Sequence, residues 1–419
     1  MSSLHIVGGR RLSGRITVEG NKNAALPLMA ACLLTDQECI LENVPRIRDV
    51  EVLAQILVGL GATIEGRGTS TLRVKCATVS SDTPDPELVG KLRGSVLLLG
   101  PLLARRGSAR LAQPGGDFPA RRTLDTHLQA LRALGARELP GQGHALEAPD
   151  GLKGVWMYLD EASVTGTETA LLAAAAARGR TVIRHAAAEP HVQELCAFLS
   201  AMGARITGVG SSAITVDPGA RLSGARFRLS GDYIEAGSWG VVAAITGGEI
   251  EVGGARAEDM EPIAAVMRAM GVCCEAGDEG FRVRRPAALR GVGRITTGLW
   301  PGFPSDMVSL VTVLATQAEG RTLVHDWMYE LRLFALEQLS AMRADLFLCD
   351  PHRIIVTGPS KLRGRPLDSR DLRSGMALIA AALAAEGESR LAPLETVERG
   401  YASLVERLRS LGADVQEEK

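Results

Sequence analysis

The chain has 419 residues, of which 46% are apolar, 23% charged and only 4% aromatic. A core of Ala, Leu, Val and Ile is therefore within reach, disorder is excluded, and at about 100–200 residues per domain the length allows two to four domains. The 47 basic and 48 acidic residues leave a formal charge of -1, which argues against a sequence-independent nucleic-acid binder, since such proteins need surplus positive charge to displace counterions.

The 7 cysteines are odd in number and scattered, with no CxxC pair, which suits neither a disulfide framework nor a zinc site. They read as reduced thiols of a cytoplasmic protein. The opening MSSLHIVGGRRLSG lacks an apolar signal core, and no apolar run approaches the roughly 18 residues of a membrane span.

Taken in chain order, one pattern repeats six times. A helix apolar on all sides is predicted over residues 24–34, 95–104, 169–177, 236–245, 307–315 and 375–385. Such helices belong in an interior. Each is followed by a short β-rich segment and then by an amphipathic helix with i, i+3, i+4, i+7 apolar spacing, as in Val50, Leu53, Ala54, Leu57, in Val192, Leu195, Cys196, Leu199, and in Tyr401, Leu404, Val405, Leu408. The amphipathic helix ends in a phrase centred on Gly61, Gly135, Gly203, Gly271, Arg343 and Gly412, at intervals of 68 to 74 residues. Glycine there supplies a left-handed cap that launches the next strand. Units of this size with a fully buried helix suit closed bundles, three units to a domain, with the break near Leu229-Ser230-Gly231-Asp232.

The starts of the apolar helices concentrate charge: Lys22-Asn23, Arg93, Ser163 to Thr167, Asp232 and Glu235, Ser305-Asp306, and Asp371 with Arg373. Any one of these can be an ordinary cap or ion pair. Lys22 and Arg93 are less easily dismissed, because a cation opposes the positive end of the helix dipole unless an anion joins it. An anion-binding cleft between two bundles is the expectation. The loop Gln113-Pro114-Gly115-Gly116-Asp117-Phe118-Pro119-Ala120-Arg121-Arg122 places a carboxylate at a mobile turn with two guanidiniums behind it, which suits either a lid or a solvated hairpin. Partial Gly-x-Gly runs at 208–210 and 291–293 support no dinucleotide site. His127 falls on the Leu124, Leu128, Leu131 stripe and reads as a core histidine rather than a base.

Gly20-Asn21-Lys22-Asn23, the Pro114-Gly115-Gly116 loop, Ala188-Glu189-Pro190, Phe303-Pro304-Ser305-Asp306-Met307 and Arg399-Gly400-Tyr401 resemble, over essentially the full length, the enolpyruvyl transferases. The resemblance implies an α/β fold of two similar inside-out α/β barrel domains, each of three βαβαββ-like repeats. Residues 21–229 would form the first, and 1–20 with 230–419 the second. It implies addition of phosphoenolpyruvate to a hydroxyl followed by elimination of phosphate, without metal or organic cofactor. The small-molecule partners would be phosphoenolpyruvate and the 3-hydroxyl of UDP-N-acetylglucosamine, on the route to peptidoglycan.

By matched motif, Lys22, Arg122 and Arg399 would bind phosphoenolpyruvate, Asn23 would hold the acceptor, and Asp306 would take the acceptor's proton. Arg93, Arg332 and Arg373 would clamp anionic groups, and Asp125, Ser163, Val164 and Met328 resemble nucleotide-sugar positions. Asp117 stands where most members carry cysteine; to deliver a proton at neutral pH it must be raised from about 3.9 by burial or a neighbouring anion. Other departures line the acceptor side: Arg122-Thr123-Leu124-Asp125-Thr126-His127 for the usual Arg-Pro-x-Asp-x-His, Ser163-Val164-Thr165-Gly166-Thr167 for Ser-Val-Gly-Ala-Thr, Asp232-Tyr233-Ile234-Glu235 for Asp-Arg-Ile-Glu, and Glu330-Leu331-Arg332 for Glu-Asn-Arg. They keep open a specialised relative acting on another nucleotide such as UMP in nucleoside-antibiotic synthesis, a shikimate-type acceptor, or a non-catalytic ligand-binding protein.

Overall fold

The structure is a computed structural model that describes residues 2–418 except 116–122, 141–142, 218, 220, 278, 285–287 and 331. The described chain forms two compact units. A discontinuous unit is drawn from residues within 1–19 and 230–419, and a middle unit from described residues within 20–229.

Each unit is built around three buried helices. In the middle unit these are α1 (Lys22–Ala31), α2 (Leu99–Arg106) and α3 (Val164–Ala174). In the discontinuous unit they are α4 (Tyr233–Thr246), α5 (Val308–Thr316) and α6 (Leu372–Ala384). Every residue of α5 is buried, as is α4 from Tyr233 to Ala244 and α6 from Arg373 to Leu383. A helix without a polar face has nowhere else to go. Small residues let these helices approach closely: a Cβ added at Gly100 of α2 would lie 3.2 Å from the Ala173 amide nitrogen and the Thr169 carbonyl of α3.

Three sheets accompany the helices of each unit, five of them four-stranded and one three-stranded. The four-stranded sheets combine a parallel pair with antiparallel partners, as where Arg294–Thr296 runs parallel to Gly320–His325, which pairs antiparallel with Arg353–Gly358 and so with Asp345–Asp350. In the three-stranded sheet the place beside Ser108–Leu111 is marked by a single bond, Arg110 N to Asp82 O at 2.8 Å. The N-terminal strands belong to the discontinuous unit. Ser3–Val7 lies antiparallel between Glu388–Ala392 and Asp414–Glu418, and Ser13–Thr17 runs parallel to Glu249–Gly253.

The repeated phrase adopts one backbone conformation in all six copies. Gly61, Gly135, Gly203, Gly271 and Gly412 have φ between 89° and 116°, and Arg343 is held at 72°. The left-handed turn is therefore kept at the copy that lacks glycine, against the steric cost a Cβ incurs there.

Two predicted helices differ in detail. The second buried helix begins as a tighter 3-10 turn over Arg93–Leu98 before α2. Pro101 has no N–H to give back to that turn, so it is accommodated in the first turn of a new helix. The last amphipathic helix spans only Leu404–Ser410. Ser403, at φ 48°, breaks the backbone before it, so Tyr401 sits in a turn rather than on the helix face.

Candidate active site

In the discontinuous unit each buried helix start carries an aspartate. Asp232 caps α4, accepting from Ile234 N at 2.9 Å and Glu235 N at 3.0 Å. Asp371 caps α6, accepting from Arg373 N at 2.9 Å and Ser374 N at 3.0 Å. These two positions follow the ordinary capping rule.

Asp306 does something else. It lies in the turn Ser305–Met307 before α5, and no side chain caps that turn. Its carboxylate accepts from Arg332 Nη1 at 3.0 Å on Oδ1 and from Arg373 Nη2 at 3.0 Å on Oδ2. The arginine side chains are only 11% and 8% exposed, whereas Asp306 is 26% exposed, so the carboxylate is partly accessible to solvent. Burial works against the charge on Arg373, but Asp306 and other anionic neighbours hold its ionisation above the ordinary value. Burial likewise opposes Arg332, and Asp306 and Asp326 more than offset it.

Each arginine is braced from behind. Arg332 Nη1 also donates to Ser305 Oγ at 2.9 Å, and Ser305 donates to Asp326 Oδ2 at 2.6 Å. Asp326 is fully buried and accepts further from Thr297 Oγ1 at 2.9 Å and Met328 N at 3.2 Å. That last bond fixes the turn bearing Met328. The Arg332 guanidinium also lies 4.6 Å from the Tyr329 ring centroid, a cation–π distance. Arg373 Nη1 lies 3.5 Å from the Tyr401 hydroxyl. Arg399 closes the short helix Glu395–Glu398, two residues before Tyr401.

Glu235 is buried and pairs with Arg407, with Trp239 Nε1 donating to it at 3.2 Å. Burial pushes its carboxyl up to about 7 against the pull of Arg407. Arg407 also donates to the Thr17 carbonyl at 2.9 Å, tying α4 to an N-terminal strand.

The middle unit uses its helix starts differently. Asn21 caps α1, accepting from Asn23 N at 2.8 Å and Ala24 N at 3.3 Å, and Ser163 caps α3, accepting from Gly166 N at 3.2 Å. Val164 is the first residue of α3, and Asp125 opens the helix Asp125–Ala133. Arg93 donates to the Thr123 carbonyl at 3.0 Å. His127, 3% exposed, meets Thr165 Oγ1 through Nε2 at 2.8 Å. Burial, helped by the charge of Arg93, lowers it to about 4. It is neutral at ordinary pH, as a core histidine should be.

Lys22 is paired within the chain. Its Nζ is 2.7 Å from Asp49 Oδ2, and both side chains are largely buried. The anion that a cation at a helix start calls for is thus present within the chain, supplied by the first turn of the helix Arg48–Gly59. Asp117 and Arg122 lie outside the described residues.

The structure therefore brings Asp306, Arg332 and Arg373 together, with Met328 held nearby through Asp326. It places Lys22, Asn23, Arg93, Ser163 and Val164 at buried-helix starts of the middle unit. Asp326 and Ser238 are additional polar members that motif reading missed, whereas Ser305 and Tyr401 stood in the quoted motifs without an assigned role. An anchored, partly exposed carboxylate can accept a proton from a hydroxyl, and fixed guanidiniums suit phosphate or carboxylate.

Three buried helices accompanied by three sheets in each unit, with charged residues at the helix starts, define the enolpyruvyl-transferase type of α/β protein. The crystal structure of the enolpyruvyl transferase NikO from Streptomyces tendae matches with a TM-score of 0.89 and 26% identity, covering 99% of this chain and 98% of that one. The EPSP synthase of Acinetobacter baumannii matches with a TM-score of 0.77 over 100% of both chains, at 19% identity, a likeness of fold alone. The EPSP synthase (3-phosphoshikimate 1-carboxyvinyltransferase) family model matches residues 6–408, and the chain belongs to that family. Among its relatives, the UDP-N-acetylglucosamine 1-carboxyvinyltransferase of Borreliella burgdorferi is 42% identical over 426 residues, covering 100% of each chain. That of Bradyrhizobium diazoefficiens is 43% identical over 418 residues, covering 98% of this chain and 97% of its own.

Proposed function

We propose that this protein transfers the enolpyruvyl group of phosphoenolpyruvate to the 3-hydroxyl of UDP-N-acetylglucosamine, releasing phosphate. The observation that carries this reading is the end-to-end similarity, at 42% and 43% identity, to proteins named for that reaction. The bracketed Asp306 supports it, because a partly exposed carboxylate held in place by two arginines suits removal of a hydroxyl proton.

In this account Asp306 takes the proton of the acceptor hydroxyl as its oxygen bonds to C2 of phosphoenolpyruvate, and Asp117 delivers a proton to C3. Loss of a proton from C3 and of phosphate from C2 then restores the double bond. Lys22, Arg122 and Arg399 hold phosphoenolpyruvate, Asn23, Asp125, Ser163, Val164 and Met328 hold the acceptor, and Arg93, Arg332 and Arg373 clamp anionic groups. No metal or organic cofactor is needed for these steps. The two units serve as the two domains, 21–229 and 1–20 with 230–419. No helix of the described residues is long and apolar enough to cross a membrane, and we place the reaction in the cytoplasm, on the route to peptidoglycan.

The test is phosphate release from phosphoenolpyruvate with each acceptor in turn; turnover with UDP-N-acetylglucosamine is expected. Turnover with UMP alone would instead favour a specialised nucleotide acceptor, the reading that the substitutions at Thr123, Thr165, Gly166, Tyr233 and Leu331 keep in view. Because residue 117 is Asp, a thiol-directed epoxide such as fosfomycin should leave it unlabelled in mass spectra, and a covalent adduct there would overturn that expectation.

A further inference from the structure

Tyr401 belongs to none of the roles assigned above, yet it is wholly buried between two of them. Its hydroxyl is 2.8 Å from Ser238 Oγ on α4 and 3.5 Å from Arg373 Nη1 on α6. A count of protons gives the direction of these contacts. Ser238 has one hydroxyl proton and directs it to the Ile234 carbonyl at 2.7 Å. The proton between Ser238 and Tyr401 must therefore be the phenol's. The phenolic oxygen is left with lone pairs, and its other polar neighbour is a guanidinium, which only donates. Burial pushes the phenol's ionisation up, so the hydroxyl keeps the proton this arrangement needs.

The same side chain anchors a turn. Gly400 packs so closely on the start of α6 that an added Cβ would lie 2.7 Å from Leu372 Cδ2, and Ser403 at φ 48° closes the turn on its other side. Arg399 leads directly into this turn. The Tyr401 hydroxyl thus sits behind Arg373, which holds Asp306 at 3.0 Å, while its backbone follows Arg399.

We infer that Tyr401 is a positioning residue for the transfer reaction, in which its hydroxyl, oriented by Ser238, sets the guanidinium of Arg373 against Asp306 and its ring anchors the turn that presents Arg399. This rests on the function proposed above and assigns the residue no contact with substrate.

The experiment compares Tyr401→Phe and Ser238→Ala with the unaltered enzyme in phosphate release, thermal melting and calorimetric titration of phosphoenolpyruvate. Tyr401→Phe keeps the ring and removes the acceptor. It is expected to lower kcat about tenfold, because small errors in the placement of reacting groups are costly, and to weaken phosphoenolpyruvate binding about threefold through Arg373, an anion-clamping guanidinium that loses its acceptor. KM for the acceptor should stay within about twofold, since the acceptor-holding residues are untouched. Ser238→Ala should change kcat in the same direction by less. Unchanged kcat and phosphoenolpyruvate affinity per folded molecule, with only the melting temperature lowered, would show a packing role and overturn the inference. If the unaltered enzyme releases no phosphate with any acceptor, the proposed function fails on its own. The titration then still decides on Tyr401, and equal affinities in the unaltered and Phe proteins would reject it.

Discussion

The two units share one repeat but arrange charge at their buried helix starts in opposite ways. In the discontinuous unit Asp232, Asp306 and Asp371 place a carboxylate at the start of each buried helix, and Arg332, Arg373 and Arg407 answer the buried acids. In the middle unit the corresponding starts carry neutral caps, Asn21 and Ser163, beside the cations Lys22 and Arg93. Among the described residues no carboxylate caps these helix starts, and Lys22 is answered by Asp49 from the helix Arg48–Gly59. The difference teaches that one repeat can supply a carboxylate in one copy and anion-binding donors in another merely by exchanging the residues at the same turn.

The sharpest break in that comparison is Asp306→Asn. Loss of a proton-accepting carboxylate should reduce phosphate release by about 100-fold or more, read in single-turnover assays. Lys22→Met comes next. Breaking its buried ion pair with Asp49 should cost about 3–5 kcal/mol, measured by denaturant unfolding. Adding Asp49→Leu should restore much of that stability but no activity if Lys22 also serves the ligand. Recovery of activity would assign Lys22 to structure alone.

The middle unit also holds titratable groups whose ionisation burial opposes, and they should set its pH response. His127 is lowered from 6.5 to about 4 by burial. Its contribution is complete above about 6.5 and is lost as pH falls through 4, amounting to about 3 kcal/mol. Glu168 has its ionisation raised well above 4.5, by burial first and Glu189 second. Its contribution is complete below 4.5 and drains away as pH rises toward the raised value. Glu168→Gln should therefore flatten the alkaline decline, raising stability at pH 8 with little change at pH 4.5. Melts across that range check it. The smallest effect is Arg343→Gly, which relieves the left-handed strain at the fifth copy and should stabilise by about 0.5–1 kcal/mol in equilibrium unfolding.

Arg343 also shows what could be read in advance. The interval of 68 to 74 residues identified its turn without glycine, because a recurring supersecondary unit leaves a recurring trace. The apolar helices were legible for the same reason. Asp306, Arg332 and Arg373 were found by motif, but their mutual geometry was not, since they lie 26 and 67 residues apart. Asp49, 27 residues beyond Lys22, and Asp326 carry no local pattern at all. A buried acid announces itself only through the partner it meets in space. Tyr401 was placed on a helix face because its spacing fitted, and the backbone at Ser403 ended the helix first.

The strand Ser3–Val7 finds its partners at residues 388–392 and 414–418. A ribosome therefore releases these first residues almost 400 positions before they can pair, while the described strands of the middle unit find all their partners within it. Synthesis should thus complete the middle unit while the strand Ser3–Val7 waits for its partners, so a truncation before residue 388 should spare the middle unit's sheets and leave that strand without its neighbours.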